Sequence, residues 1–129
     1  MAVGVAHLFD YLDALRSGRL NGGARPSIRR DRAAVISVSA DDGVAQLAFR
    51  AALAELAAAA RVNGVAVLSV SDAFTVGELG YYTSGVASLG FIALAGANSP
   101  AVMSLYGAPA ALTGTNPFPS RSRRSPCPA

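Results

Sequence analysis

Between residues 34 and 71 a short β-branched run, a long alanine-rich stretch and a second β-branched run succeed one another, and this pattern limits the fold more than any other feature. Residues 34–39 hold Val35, Ile36 and Val38 and read as a strand. Asp41-Asp42-Gly43 turns the chain, with an aspartate placed to cap the next element. Residues 44–62 carry Leu47, Leu53 and Leu56 with no helix breaker before Asn63-Gly64, which predicts a helix. Residues 65–71 are a largely apolar run, expected to be a strand buried on both faces. Two strands joined by a helix of this length favour parallel pairing, because a parallel connection needs a crossover.

The flanks extend the pattern. Val5, Leu8, Phe9, Leu12 and Leu15 fall on one helical stripe that stops at Ser17-Gly18. Residues 19–32, with Asn21-Gly22-Gly23 and Pro26, read as an exposed connector. A loop over 72–77 leads to a helix at 78–89, ended by Gly90, and then to a further buried strand at 91–97. Pro100, Gly107, Pro109, Gly114 and Pro117 make the rest irregular. The expected fold class is α/β: a strand–helix–strand–helix–strand core, one amphipathic helix before it and a disordered C-terminal tail. Residues 1–118 form the α/β domain on this reading and 119–129 the Arg/Ser/Pro tail.

Charge narrows the partners. All 11 basic residues are arginines, and the formal net charge is +3. Arg121, Arg123 and Arg124 supply that excess, so the body is balanced and lacks the cationic stripe of a nucleic-acid binder. No charged side chain occurs from Leu79 to Ser120, but Gly, Ser, Thr, Asn and Pro interrupt that stretch, and its best apolar window, 86–97, is shorter than the roughly 20 residues a span needs. No nucleic-acid and no membrane partner is therefore expected. A basic signal-peptide start is missing and Asp10 and Asp13 interrupt the first stripe, so the expected compartment is the cytoplasm. The single Cys, Cys127, excludes a disulfide framework and a multi-thiolate metal site, and no metal ligand set is expected.

Candidate chemistry is sparse. The chain has no G-x-G-x-x-G after a strand, no phosphate-binding Walker loop and no H-E-x-x-H. His7 is the only histidine. Asp41-Asp42 before Gly reads as a turn. Ligands of α/β sheets sit outside the carboxyl ends of the strands, which marks the loop at 72–77 and Asn98-Ser99-Pro100 as site walls. Tyr81 and Tyr82 offer phenols there or pack on the sheet. Gly114-Thr115-Asn116-Pro117 combines a residue that permits close backbone approach with short donors and acceptors.

In order, Gly4-Val5, Tyr11, Leu15, Asp42-Gly43, Gln46, Asn63-Gly64-Val65, Gly80-Tyr81-Tyr82, Ala87, Gly90-Phe91-Ile92, Asn98-Ser99-Pro100, Gly107 and Gly114-Thr115-Asn116-Pro117 resemble the NAD(P)-dependent malate/L-lactate dehydrogenase-type family, which is unrelated to the Rossmann-type lactate dehydrogenases. The resemblance implies NAD or NADP as cofactor and hydride transfer to or from a small 2-hydroxy, 2-oxo or imino acid. It implies a homodimer for the full-length protein. It marks Ser99, Gly114, Thr115, Asn116 and Pro117 as cofactor-side contacts, with Asn98 a lesser one. It also exposes departures. Ala2-Val3-Gly4 stands where the family carries Ser-His-Gly, and His7 stands where it carries Arg. Thr75 occupies the position of the usual proton-transfer His, a role threonine cannot take near neutral pH, so His7 is the candidate substitute. The change of composition after Phe118 reads as a chain that stops within a longer fold. The expected function is that of an oxidoreductase of this type, inactive alone if the missing parts are needed; the alternative is a non-catalytic oligomerisation or binding fragment.

Overall fold

The computed structural model describes residues 3–107 and 109–122, and two compact units divide it: Met1–Gly77 and Glu78–Ala129.

In the first unit, α1 (Val3–Arg16) leads through a turn to β1 (Ser27–Arg32), β2 (Val35–Ser39), α2 (Ala45–Asn63) and β3 (Val67–Ser71). The sheet order is β1-β2-β3, with β1 antiparallel and β3 parallel to β2. The expected strand–helix–strand unit with parallel pairing is present. Its core forms where Val38 and Ala40 meet Ala48 and Ala52 of α2, with Leu68, Val70 and Ala73 packed beside them. On α2 the face turned inward is built from Ala45, Ala48, Phe49 and Ala52, at i, i+3, i+4 and i+7, while Leu47 is exposed. Alanine has no branches to hold the helix off the sheet, so the small residues rather than the leucines mark the packed face. Gly64 ends α2 in the left-handed conformation at φ 77°, returning its N–H to the Ala60 carbonyl.

Several expectations need correction here. The connector at 19–32 contains β1, a strand with four charged residues in six positions, exposed along nearly its whole length. An edge strand with no buried face shows no apolar alternation, so periodicity misses it. Asp31 sits in a β-bulge between Arg30 and Arg32. Neither Asp41 nor Asp42 caps α2; the cap position is Val44, with no side-chain cap bond. Both aspartates instead take left-handed backbone angles, φ 54° and 55°, within the turn. β3 is not buried on both faces: it alternates, with Leu68 and Val70 against α2 and Val67, Ser69 and Ser71 exposed. On α1 the apolar stripe Leu8, Phe9, Leu12 and Leu15 is exposed, and Ala14 is the buried residue. The side chain of Val5 lies outside those described.

In the second unit, α3 (Leu79–Ser88) is the main element, burying Leu79, Tyr82, Thr83 and Ala87. The strand expected over 91–97 is reduced to β4 (Ala93–Leu94), which pairs antiparallel with β5 (Ser120–Arg121). Ala95 and Ala97 extend that pairing by donating to the carbonyls of Pro119 and Pro117. Ile92 (80 %) and Leu94 (65 %) are exposed, so this is not a buried central strand. The start of the expected tail is thus ordered as β5, because carbonyls on both sides of Phe118 receive these N–H groups. Residues 123–129, with Arg123, Arg124 and Cys127, lie outside the described residues. No helix among the described residues is long and apolar enough to cross a membrane.

Candidate functional site

The first candidate region is the loop after β3. Its backbone is tied to the turn before α2 and to the first residues of α2 at four successive points. Asp42 N–H donates to the Asp72 carbonyl (2.8 Å), Phe74 N–H to Gly43 (3.0 Å), Ala45 N–H to Thr75 (3.3 Å), and the Gln46 amide to Val76 (3.2 Å). Gly77, at φ 61°, lies against Gln46: a Cβ there would fall 2.6 Å from Nε2, so glycine both adopts the angle and leaves room for the amide. Tyr11 of α1 meets Phe74 edge-to-face at 5.7 Å, and the Arg19 guanidinium lies 6.0 Å above the same ring. A loop of six residues is thereby fixed from three directions.

Thr75 is held within this loop, half-buried, and its hydroxyl accepts from Gly77 N–H at 3.4 Å. His7 lies on α1, one turn before Tyr11, and its Nδ1 sits 3.1 Å from Asp10 Oδ2. Its imidazole is therefore exposed and bonded to its own helix rather than to Thr75. At the carboxyl end of β3, Asp72 Oδ2 accepts from Ser39 Oγ (2.7 Å) and Ser71 Oγ (3.0 Å). Those hydroxyls hold its carboxyl below the ordinary 3.8, Ser39 contributing most. Asp31 is held down in the same way, chiefly by Ser37 and then by Arg29. Asp41 is a structural tie: its carboxylate accepts from the Asn21 amide (3.1 Å) and from Arg25 N–H (3.0 Å).

The second candidate region lies in the other unit. Ser99 and the turn at 114–117 are brought together: Ser99 N–H donates to Asn116 Oδ1 at 3.1 Å. A Cβ on Gly114 would collide with the Ser99 backbone carbonyl, so glycine is required there for the chain to pass itself. Asn116 takes a left-handed φ of 37°, which its short amide tolerates. Ser99 Oγ donates to the Pro100 carbonyl, and Thr115 is exposed. An isolated antiparallel bridge between Met103 and Thr113 ties the intervening loop at its ends. One expectation changes: 98–100 does not come after a strand of the parallel sheet, since β4 belongs to a separate two-stranded sheet. Tyr82 is buried on α3 and Tyr81 exposed, their rings T-shaped at 5.5 Å.

The donor set around Ser99 and Thr115 is neutral: hydroxyls, an amide and backbone N–H groups, with no charged side chain from 79 to 120. Such a set fits the uncharged, hydrogen-bonding parts of a dinucleotide, its carboxamide or ribose. It offers no cation to a pyrophosphate. The Gln46 brace and the Phe74 clamp have a weak sequence signal at most. Gly77 reads as an ordinary loop glycine until the amide packed against it is seen.

The malate/L-lactate dehydrogenase family profile matches residues 2–120. Over 115 residues the chain is 35 % identical to a Δ1-pyrroline-2-carboxylate/Δ1-piperideine-2-carboxylate reductase of Pseudomonas putida, covering 89 % of this chain and 34 % of that protein. It is similar in structure to the Δ1-piperideine-2-carboxylate reductase of Pseudomonas syringae, with a TM-score of 0.76 and 31 % identity over 94 % of this chain and 36 % of the other. The malate dehydrogenase of Pyrococcus horikoshii shares the fold at a TM-score of 0.83, with 22 % identity over 95 % of this chain and 35 % of the other. The chain spans about a third of the length of the curated relatives it matches.

Proposed function

The chain belongs to the malate/L-lactate dehydrogenase family, and we propose that it carries part of an NAD(P)-dependent oxidoreductase for a small 2-oxo or cyclic imino acid. The observation that carries this reading is the clamp of Ser99 on Asn116, which fixes the residues that the family resemblance marks for cofactor contact. When bound, a nicotinamide supplies the hydride. Thr115 and Ser99 hold its neutral portion through their hydroxyls, and Asn116 keeps the two loops together so that those donors are pre-set. Reduction of the acid also takes up a proton at the oxygen or nitrogen of the reacting carbon. Thr75 supplies none near neutral pH, and we assign that part to His7, the histidine of this sequence.

The threonine at 75 favours a second reading, in which the chain binds cofactor without turning substrate over. Fluorescence titration with NADH and NADPH tests the shared part: saturable binding that Asn116→Ala weakens severalfold supports both readings. No binding up to millimolar cofactor contradicts both. Reduction of Δ1-piperideine-2-carboxylate that falls with His7→Gln then favours the first, and binding with no turnover favours the second.

A further inference from the structure

We propose that Asn21 is a site of spontaneous covalent modification: the Gly22 nitrogen attacks its side-chain amide, and the aspartate or isoaspartate that results loosens the turn at 41–43. The chemistry needs only water. A bond forms between the Gly22 nitrogen and Asn21 Cγ, the Gly22 nitrogen gives up its proton, and the amide nitrogen leaves as ammonia. Water then opens the cyclic imide at either carbonyl, giving an aspartyl or an isoaspartyl link. Nothing is oxidised or reduced, and the net change is amide plus water to acid plus ammonia.

The attack requires that the following residue have an uncommitted main-chain N–H and little bulk beside it. The chain has four asparagines, and their followers differ in this respect. Asn116 precedes Pro117, which has no N–H. Asn98 precedes Ser99, whose N–H is spent on Asn116 Oδ1 at 3.1 Å. Asn63 precedes Gly64, but that N–H donates to the Ala60 carbonyl at 2.9 Å. Asn63 is also the last residue of α2, and its amide donates to the carbonyls of Ala59 (2.8 Å) and Ala33 (3.2 Å). Asn21 precedes Gly22, whose N–H makes no hydrogen bond among the described residues. The turn also orients the group attacked. Asn21 Oδ1 accepts from Gly23 N–H at 3.0 Å, which closes a ring of atoms containing the Gly22 nitrogen and draws electrons from Cγ. The Asn21 carbonyl accepts from Ala24 N–H at 3.3 Å, so the backbone over 21–24 is a closed turn. Asn21 and Asn63 share one dipeptide, and their hydrogen bonds tell them apart.

The product removes what the next turn rests on. Asn21 Nδ2 donates to the Asp41 carbonyl and to Asp41 Oδ2, each at 3.1 Å. An acid at 21 loses both donors and sets a second carboxylate against that of Asp41. Asp41 and Asp42 hold left-handed φ angles of 54° and 55°, a conformation that persists while its surroundings enforce it. Asp42 N–H and the Gly43 carbonyl bond to Asp72 and Phe74, so the disturbance reaches the loop after β3. The inference rests on the turns and does not depend on the oxidoreductase reading.

Peptide mass spectrometry of the full chain, aged in mildly alkaline buffer, tests it. Trypsin separates the sites: Asn21 falls on the peptide 20–29, because Pro26 protects Arg25, and the other three asparagines fall on 62–121. In the folded chain Asn21 should convert at least tenfold faster than any of those three, to a mixture of aspartyl and isoaspartyl products. In denaturant Asn21 and Asn63 should convert at similar rates, both being plain Asn-Gly. Gly22→Ala places a methyl 3.1 Å from Leu15 Cδ2, a side-chain tip that can give, and should slow conversion roughly tenfold. The comparison with denaturant needs no variant and decides the matter if Gly22→Ala fails to fold. Asn21→Asp should speed exchange of the Asp42 and Phe74 amides severalfold and leave those of α2 unchanged. An unconverted peptide 20–29, Asn63 converting as fast in the folded chain, aspartate without isoaspartate, or unaltered exchange in Asn21→Asp would each overturn the proposal.

Discussion

The two units of this chain solve the problem of holding a loop in place by different means. In Met1–Gly77 the loop after β3 is anchored to a sheet whose core is closed: Ile36 and Val38 are fully buried between α2 and the neighbouring strands. In Glu78–Ala129 the described segment bearing Ser99 and Asn116 is held by a two-residue strand pair, the bridge between Met103 and Thr113 and the bond from Ser99 to Asn116, with Val102, Leu105, Leu112 and Phe118 exposed. The first unit has the apolar burial to order its loop by itself. The second keeps its geometry through backbone closure and short polar side chains, Asn116 among them, as binding segments drawn from the low-stability end of a structure do.

Substitutions can break that contrast. Ile36→Ala removes a fully buried side chain and should cost about 2–5 kcal/mol in a denaturant melt, whereas Ile92→Ala, at an exposed site of the second unit, should change stability by less than about 0.5 kcal/mol. Equal losses would show that the two units fold as one core. Gly114→Ala should act locally, driving a methyl into the Ser99 carbonyl at a cost of about 1–3 kcal/mol and displacing amide resonances of 98–100 and 114–117 without moving those of α2. Gln46→Ala should cost about 1 kcal/mol through the lost bond to Val76 and speed exchange of the loop amides, leaving the β2–β3 ladder intact.

The smallest effect concerns acid. Folding lowers the Asp72 carboxyl through Ser39 and Ser71, so its contribution to stability is present above the ordinary value of 3.8 and is lost as pH falls through the folded value. Asp72→Asn should therefore flatten the acid limb of the stability curve below about pH 4, slightly because the group is exposed, and leave the slope near neutral pH unchanged. An unchanged acid limb would mean that the two serine bonds do not bias its protonation.

Legibility in the sequence divides along the same line. α2 and β2 are legible because burial on one side imposes a period, and alanine spacing even names the inner face once the sheet is seen to need close approach. β1 is illegible because a charged edge strand has no buried face to impose one. β3 is legible as a strand, but its two faces are harder to tell apart: Ser69 and Ser71 break the apolar run at alternate positions, and that alternation is the signal residues 65–71 carry. In the second unit the order of Asn98-Ser99-Pro100 and Gly114-Thr115-Asn116-Pro117 points to the site, yet their contact across the chain depends on one bond between Ser99 and Asn116 that no local pattern encodes.

If the second unit holds a cofactor-binding segment while the first supplies a fixed framework, hydrogen exchange measured by peptide with and without NADPH should separate them. The expected result is strong protection of 35–39 and 45–63 that cofactor does not alter, and weak protection of 98–117 that rises on adding NADPH. No change over 98–117 at saturating cofactor, or a change confined to the first unit, would contradict that division of roles.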